Sequence, residues 1–416
     1  MQKESLKVAL VKPEQKVWFI RSSAGIHARH FRSASLIAIG HLEDAFEGTI
    51  GDKIPSEDEI KKALLSNDKY SHFKKNKDGK ETKYLNRKGS QLLGQTKRFV
   101  NDIKQGDLVV TKNEDGGYNI GICTDSQAYI EHTPIELVIP EDAKRTARDR
   151  IELKHKLRKK VTWGPSVSPN ELPGAVRKAT RGQHTITDLS PHKEKVFHLI
   201  YPFFTDGESL YFSSKIRRQG KIGALVVGNL FQNVSLAENL ISQLLSNSII
   251  SEELLLQLTE RNAFDQESAV TCQAAFMSPG DFWCKVPLLS ESDFLGQVYA
   301  GVLAFLILTG QAETVQFDPM LIAPSEISAT LKHKEDDPDS IFNDKLKEPE
   351  ASPLLKQIAE NAQRNKEVIE KIEKDRHTQE INDNLELGVT DANTSRLESF
   401  TFGINIIEFR KKNENN

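Results

Sequence analysis

The residues of this 416-residue chain able to do chemistry are scattered, and most of the familiar constellations are incomplete. His27 and His30 stand three apart, but two imidazoles alone do not make a zinc site. The three cysteines, Cys123, Cys272 and Cys284, form no CxxC pair. They signal neither a zinc site nor a disulfide framework and read as free thiols in a reducing compartment. The stretch GKIGALVVGN (220–229) lacks the Lys-Ser/Thr end of a phosphate-binding loop, and no GxSxG elbow occurs. Arg217, Arg218 and Lys221 gather at a turn that either binds an anion or is simply solvated. No cofactor motif is present, so none is expected.

Charge points elsewhere. Residues 1–200 hold 36 Lys and Arg against 26 Asp and Glu, while residues 201–416 hold 20 against 33, so a balance of +10 precedes one of −13. A basic half joined to an acidic half hints at a polyanion-binding module beside something else. Within the basic half, residues 144–160 carry nine Lys and Arg against two acids, and residues 69–88 carry eight against two. Arg145, Arg148, Lys156 and Lys159 are candidate phosphate contacts, each releasing counterions from a nucleic acid. Trp18 and Trp163 could stack on a base, or they could be core.

The elements that must position these groups are short. Residues 17–21 (VWFIR), 36–40 (LIAIG), 108–111 (LVVT), 118–124 (YNIGICT), 159–163 (KKVTW) and 184–189 (HTITDL) read as strands, with NEDGG (113–117) as a hairpin turn. Ser56 with Glu59 reads as a capping box opening a helix. Residues 92–104 carry a helical apolar face, 174–179 read as a helix, and 69–90 read as a loop or insertion. Many short strands with few helices argue for a small barrel. Beyond residue 205, strands are expected at 209–213 and 221–230, and helices at 236–245, 252–261 and 266–276. Residues 294–310 (FLGQVYAGVLAFLILTG) are uncharged but short of the ~20 apolar residues of a span, so a core helix is expected. Residues 332–353 read as an acidic linker, 354–375 as a charge-laced helix and 400–409 as a strand.

The order of the pieces in residues 17–189 resembles the N-terminal module attached to many Mrr-type restriction endonucleases, which is related to EVE and PUA-like domains. The matching pieces are VWFIR, LIAIGH (36–41), QTKRFVNDIKQGDLVV (95–110), YNIGICT, RKKVTW (158–163), ELPGAVRKA (171–179) and TITDL (185–189). They cover under half the chain. Two departures stand out. Residues 136–157 are longer and more basic than the hairpin usual there, and His41 stands where a tryptophan commonly follows the Ile-Gly. The second bears against an aromatic cage. The resemblance implies a PUA-like barrel in 1–200; with the elements read beyond it, the chain is expected to be α+β, with a mixed α/β domain in 201–332 and a linker, charged helix and terminal strand in 333–416. It also implies a cytoplasmic DNA- or RNA-binding protein that recognises modified or flipped bases in a prokaryotic restriction or antiviral setting. A protein partner or second copy would use the C-terminal half.

By that resemblance the base pocket lies at the barrel rim, and Trp18, Arg21, His41, Gln95, Arg98 and Trp163 are its candidates. Mrr-type enzymes place two carboxylates and a lysine around a divalent ion after this module. Here Asp281 and Lys285 have the wrong spacing, and Glu208 and Lys215 flank a strand without the pair. A diverged metal-dependent nuclease and a membrane-acting effector using 294–310 remain the alternatives. Chain chemistry leans away from an enzyme.

Overall fold

The computed structural model describes residues 5–75, 80–137, 151–260, 270–275, 280–288, 293–311, 327–332, 352–389 and 405–411. The chain divides into two units. One spans Glu14–Val196; the other combines β1 (Ser5–Leu10) with residues from Phe197 onward.

In the N-terminal unit the short β-branched and aromatic runs become β2 (Val17–Ile20), β3 (Leu36–Ile39), β6 (Leu108–Lys112), β7 (Tyr118–Cys123), β8 (Tyr129–Ile130), β9 (Leu157–Val167) and β10 (Ile186–Asp188). They order as β10-β2-β6-β7-β9-β3, with β8 beside β9 and only β2–β6 parallel. The 11-residue β9 curls the sheet, because Val161–Val167 pair with β7 while Leu157–Lys160 pair with β3. The β7–β9 register shifts between Asn119 and Gly121. A Cβ at Gly121 would come within 2.8 Å of the Thr162 carbonyl oxygen, so glycine permits that close approach. The outcome is a half-barrel, less closed than the small barrel expected.

Helices α1 (Ala28–Ser33), α2 (His41–Ala45), α3 (Glu57–Ser66), α4 (Arg87–Lys97) and α5 (Gly174–Ala179) complete the unit. The capping box opens α3 as read from sequence: Ser56 accepts from the Glu59 amide and Glu59 reaches back to the Ser56 amide. The helix expected over 92–104 begins earlier, where Asn86 caps it, and ends in a wider π turn at Arg98–Asp102. The stretch read as a loop is instead a two-stranded ribbon, β4 (Ser71–Lys75) and β5 (Glu81–Leu85); its lysines dilute a β pattern carried by Phe73, Thr82 and Tyr84.

The second unit is a mixed sheet, ordered β13-β14-β12-β11-β1-β17-β15, with β16 beside β12. These are β11 (Phe203–Thr205), β12 (Ser209–Ile216), β13 (Thr271–Ala275), β14 (Gly280–Pro287), β15 (Ile327–Lys332), β16 (Leu387–Val389) and β17 (Asn405–Lys411). β1 pairs parallel with β11 and antiparallel with β17, so residues 5–10 and 405–411 sit in this sheet rather than in the first domain and a tail. Two expected elements change type. Residues 221–230, apolar and β-branched, belong mainly to the helix Ala224–Ser235, which buries Asn229, Leu230, Asn233 and Val234 at helical spacing. The helix expected at 266–276 gives way to β13 over its described part.

The helix Phe294–Leu308 is buried at every residue and is a core helix; among the described residues no helix is long and apolar enough to cross a membrane. The single helix expected at 354–375 is two, Pro353–Glu360 and Ala362–Glu373, followed by Arg376–Leu385, which Asp375 caps. Their apolar faces (Ile358, Ile369, Ile372, Ile381) join the core. Nearly all of the acidic 332–353 stretch lies outside the described residues, as do the first residues of the terminal strand.

Candidate functional site

The residues expected to form a base pocket do not converge. Trp18 and Trp163 are each 2% exposed. The Trp18 indole donates to Asp107 Oδ2 at 2.8 Å, and the Trp163 indole donates to the Phe31 carbonyl at 2.8 Å. Both are satisfied core aromatics, and stacking on a base would require them to leave the core. Gln95 is buried too; its Oε1 accepts from the Ile186 amide at 2.5 Å and so ties α4 to β10. Arg21 and Arg98 are exposed, Arg21 reaching the Gln183 carbonyl at 3.4 Å.

Of the expected phosphate contacts, Lys159 is fully buried, its ammonium donating to the Ile103 carbonyl at 2.7 Å, and burial pushes its pKa down. It is not presented to a phosphate. Lys156 is half-buried and its Nζ donates to the Gly48 carbonyl at 3.0 Å. Arg145 and Arg148 lie outside the described residues. In the other unit, Arg217 packs over Gly388 and Arg218 reaches the Asp383 carbonyl at 3.4 Å. Asp281 stands opposite Lys215 in the β12–β14 register, and the Lys285 ammonium lies 5.0 Å from the Tyr211 ring.

His41 is the member of the expected set that falls into a polar cluster. The cluster forms where three segments meet: the turn entering α1, the β3–α2 junction, and residues 151–156 leading into β9. Ser23, Ala24 and Gly25 all have positive φ (51°, 57° and 96°), and a Cβ at Gly25 would lie 2.5 Å from the Asn113 carbonyl oxygen. Two non-glycine residues in the left-handed region cost energy that the surroundings must repay, a pattern common at functional sites. Here Ser22 Oγ donates to the Lys112 carbonyl at 2.6 Å and the His27 amide to the Ser22 carbonyl at 3.0 Å, fixing the turn on the β6–β7 hairpin.

The turn delivers His27 and α1 delivers His30, their ring centres 5.5 Å apart and edge-on. His155 lies 5.2 Å from His27, also edge-on, and rests on Gly40, whose Cβ would meet its Nδ1 at 2.5 Å. His41 follows Gly40 at the start of α2, and Glu43 accepts the Lys156 amide at 2.5 Å. His30 Nε2 is 2.6 Å from the Ile151 carbonyl, so that nitrogen carries a proton and donates it. Four buried polar atoms in this cluster have no hydrogen-bond partner: His27 Nδ1, His30 Nδ1, His41 Nε2 and Glu43 Oε2. Such a concentration is unusual, because buried polar atoms are nearly always paired.

Burial disfavours the charged forms of His27, His41 and His155. Burial, then His155 and His30, hold His27 down to about 4. Burial lowers His41 and His155 as well, with Asp44 opposing both. Burial raises Glu43, opposed by hydrogen bonds at its own and the Lys156 backbone. The cluster, called the recess below, thus gathers imidazoles and a carboxyl group with hydrogen-bonding capacity to spare. Among the described residues, no three or more His, Cys, Asp or Glu side chains converge as metal ligands. Sequence reasoning missed His155 and Glu43. His155 sits inside the basic run, and its one signal was the glycine before His41, whose missing side chain makes room for that ring.

Comparisons with protein-family models, with curated protein sequences and with solved structures return no match for this chain.

Proposed function

We propose that the N-terminal unit is a PUA-like nucleic-acid reader, and that the histidine recess, not the tryptophans, holds a base. The carrying observation is the set of four unpartnered buried polar atoms on His27, His30, His41 and Glu43, gathered where residues 151–156 lead into β9. A base swung out of its stack costs a few kcal/mol, recovered by hydrogen bonds to its edge. A neutral imidazole offers one acceptor nitrogen and one N–H donor, so unpartnered imidazole and carboxyl atoms suit a base edge that offers an exocyclic amino group beside an acceptor: adenine, cytosine or guanine. The restriction or antiviral setting follows from the resemblance alone.

The test is a fluorescence-anisotropy titration of the full chain against oligonucleotides differing at one central base, at matched salt. Wild type is expected to favour amino-bearing bases. His41→Ala and Glu43→Gln are expected to lose that preference while keeping the same salt dependence, since phosphate contacts position without reading sequence. A preference unchanged in both variants, or no binding at low salt, overturns the reading.

A further inference from the structure

The ribbon β4–β5 is not part of the curled sheet; it is a separate two-stranded sheet. Its root is fixed. Tyr70 is buried, Ser71 Oγ donates to the Asn67 carbonyl at 2.8 Å, and Asn86 both donates to the Lys69 carbonyl and caps α4 through the Gly89 amide. A Cβ at Gly89 would come within 2.2 Å of the Tyr70 carbonyl oxygen, so helix and ribbon root pack backbone to backbone. Beyond the root, His72–Lys75 on β4 are exposed, while Thr82 and Lys83 on β5 are half-buried. Alternation puts Phe73, Lys75 and Lys83 on one face and His72, Lys74 and Tyr84 on the other, with Phe73 opposite Lys83 and His72 opposite Tyr84. Phe73 is 64% exposed and Tyr84 41%. A rigidly rooted ribbon that buries neither aromatic contributes little to the core.

Its charge is one-sided. Lys69, Lys74, Lys75, Lys80 and Lys83 lie on or beside the strands, and Arg87 and Lys88 open α4. The described acids here, Asp68 and Glu81, sit against Lys83 at 2.7 Å and Lys75 at 3.8 Å. The cation surplus complements a polyanion. The ribbon's shape selects among polyanions. A two-stranded ribbon fits the major groove of B-form DNA, about 12 Å wide, where an apolar side chain can contact a thymine methyl. The deep, narrow major groove of an A-form RNA duplex does not admit side chains for reading.

We infer that β4–β5 is a DNA wing that enters the major groove of a B-form duplex, its lysines on phosphates and Phe73 or Tyr84 against base edges. The inference rests on the nucleic-acid reading above and names duplex DNA as the partner. Under it, the recess and the wing divide the work, one holding a single base and the other gripping the neighbouring duplex.

The experiment compares full-length wild type, Lys74→Glu/Lys75→Glu and Phe73→Ser/Tyr84→Ser on duplex DNA and duplex RNA of one sequence, across a salt series. Thermal melting is expected to stay unchanged in both variants, because all four side chains are exposed. Wild type is expected to favour the DNA duplex. The lysine variant is expected to bind DNA at least about tenfold more weakly and to flatten the slope of log affinity against log salt by about 2, since each phosphate contact contributes about 0.9. The aromatic variant is expected to weaken DNA binding several-fold with the slope unchanged. Wild type binding no nucleic acid sinks the parent reading. If wild type binds and both variants match it, the wing is overturned while the recess stands. Equal losses on DNA and RNA duplexes overturn the groove assignment.

Discussion

Both units bury polar groups, but they are organised around different centres. In the second, an apolar helix forms the centre, and buried amides such as Asn233 and Asn365 are bonded around it. The helix Phe294–Leu308 is enclosed on all sides, and Phe305 stacks on Phe212 with ring centres 5.1 Å apart and planes 1° from parallel. In the first, charged and polar groups are drawn inside: Asp107 under Trp18, Lys159 under Ile103, Gln95 under Ile186, and the histidine recess. Most of these are satisfied one to one, which is how a polar group becomes structural. The recess is the exception, with several polar atoms unpartnered together. The comparison separates polar burial that holds a fold together from polar burial that awaits a ligand.

Removing the apolar anchor gives the largest expected effect. Phe305→Ala takes out a fully buried ring and is expected to cost about 3–5 kcal/mol of stability. Denaturant unfolding of the full chain checks this. If the units differ as argued, the loss falls on the transition that carries the second unit's signal.

The structural side of the first unit is broken at Asp107. Its carboxylate accepts from the Trp18 indole at 2.8 Å, the Lys104 amide at 2.9 Å and the Lys16 amide at 3.0 Å. Burial pushes its pKa up, against those three hydrogen bonds. Asp107→Ala is expected to cost on the order of 2–4 kcal/mol, because each orphaned buried donor costs about 1–3. Gln95→Ala is expected to cost less, about 1–2 kcal/mol for one amide left unpaired, and to leave base preference untouched. A changed preference in Gln95→Ala at matched salt would return that residue to the base site.

How far the sequence could be read follows the same divide. Short apolar, β-branched and aromatic runs such as VWFI and LVV, and the Ser56–Glu59 capping box, are local signals, and they foretold the strands of the half-barrel and the start of α3. Residues 221–230 failed because their β-branched propensity was overridden by packing of a helical face through Leu230 and Val234. The site was less legible than the fold. Tryptophan and glutamine suggested stacking and edge reading by type, but type does not reveal that Asp107 and the Ile186 amide already occupy them. The recess joins His27, His41 and His155, far apart in the chain, and only Gly40 marked the place where the third ring lands.

Histidines occur in both units, and acid separates their roles. His198 in the second unit stacks on Trp283 at 5.2 Å and 2° and is held down to about 3 by burial; His27 in the first is held to about 4. An unfolded imidazole takes up its proton near 6.5. Between that value and the folded value the unfolded state carries more protons, so stability falls as pH falls. The window is about 6.5 to 4 for His27 and about 6.5 to 3 for His198. His198→Phe is expected to flatten acid unfolding of the second unit without altering nucleic-acid binding. His27→Asn is expected to flatten the first unit's acid dependence and to weaken base preference as well. Melting temperatures and anisotropy measured across the window check both; a His27→Asn variant with unchanged preference would make the recess structural.

The smallest expected effect concerns the thiols. Cys123 in the first unit is buried and burial pushes its pKa up to about 11, so it stays protonated and inert. In the second unit, Cys272 and Cys284 stand directly opposite on β13 and β14 with Sγ atoms 2.8 Å apart. Cys284 is buried and held high by burial and by Cys272, while Cys272 is partly exposed and is the sulfur an oxidant reaches first. Hydrogen peroxide would oxidise Cys272 to a sulfenic acid with loss of water, and Cys284 would displace a second water to close the disulfide. The two electrons come from the thiols and end on the peroxide oxygen. Intact mass under peroxide is expected to fall by two hydrogens, and peptide mapping to join 272 with 284 and leave Cys123 free. The loop so closed is short and both strands are already paired, so the gain in stability is expected to be small, under about 1 kcal/mol. Modification of Cys123 ahead of Cys272 would show that burial does not divide the two units' sulfur chemistry.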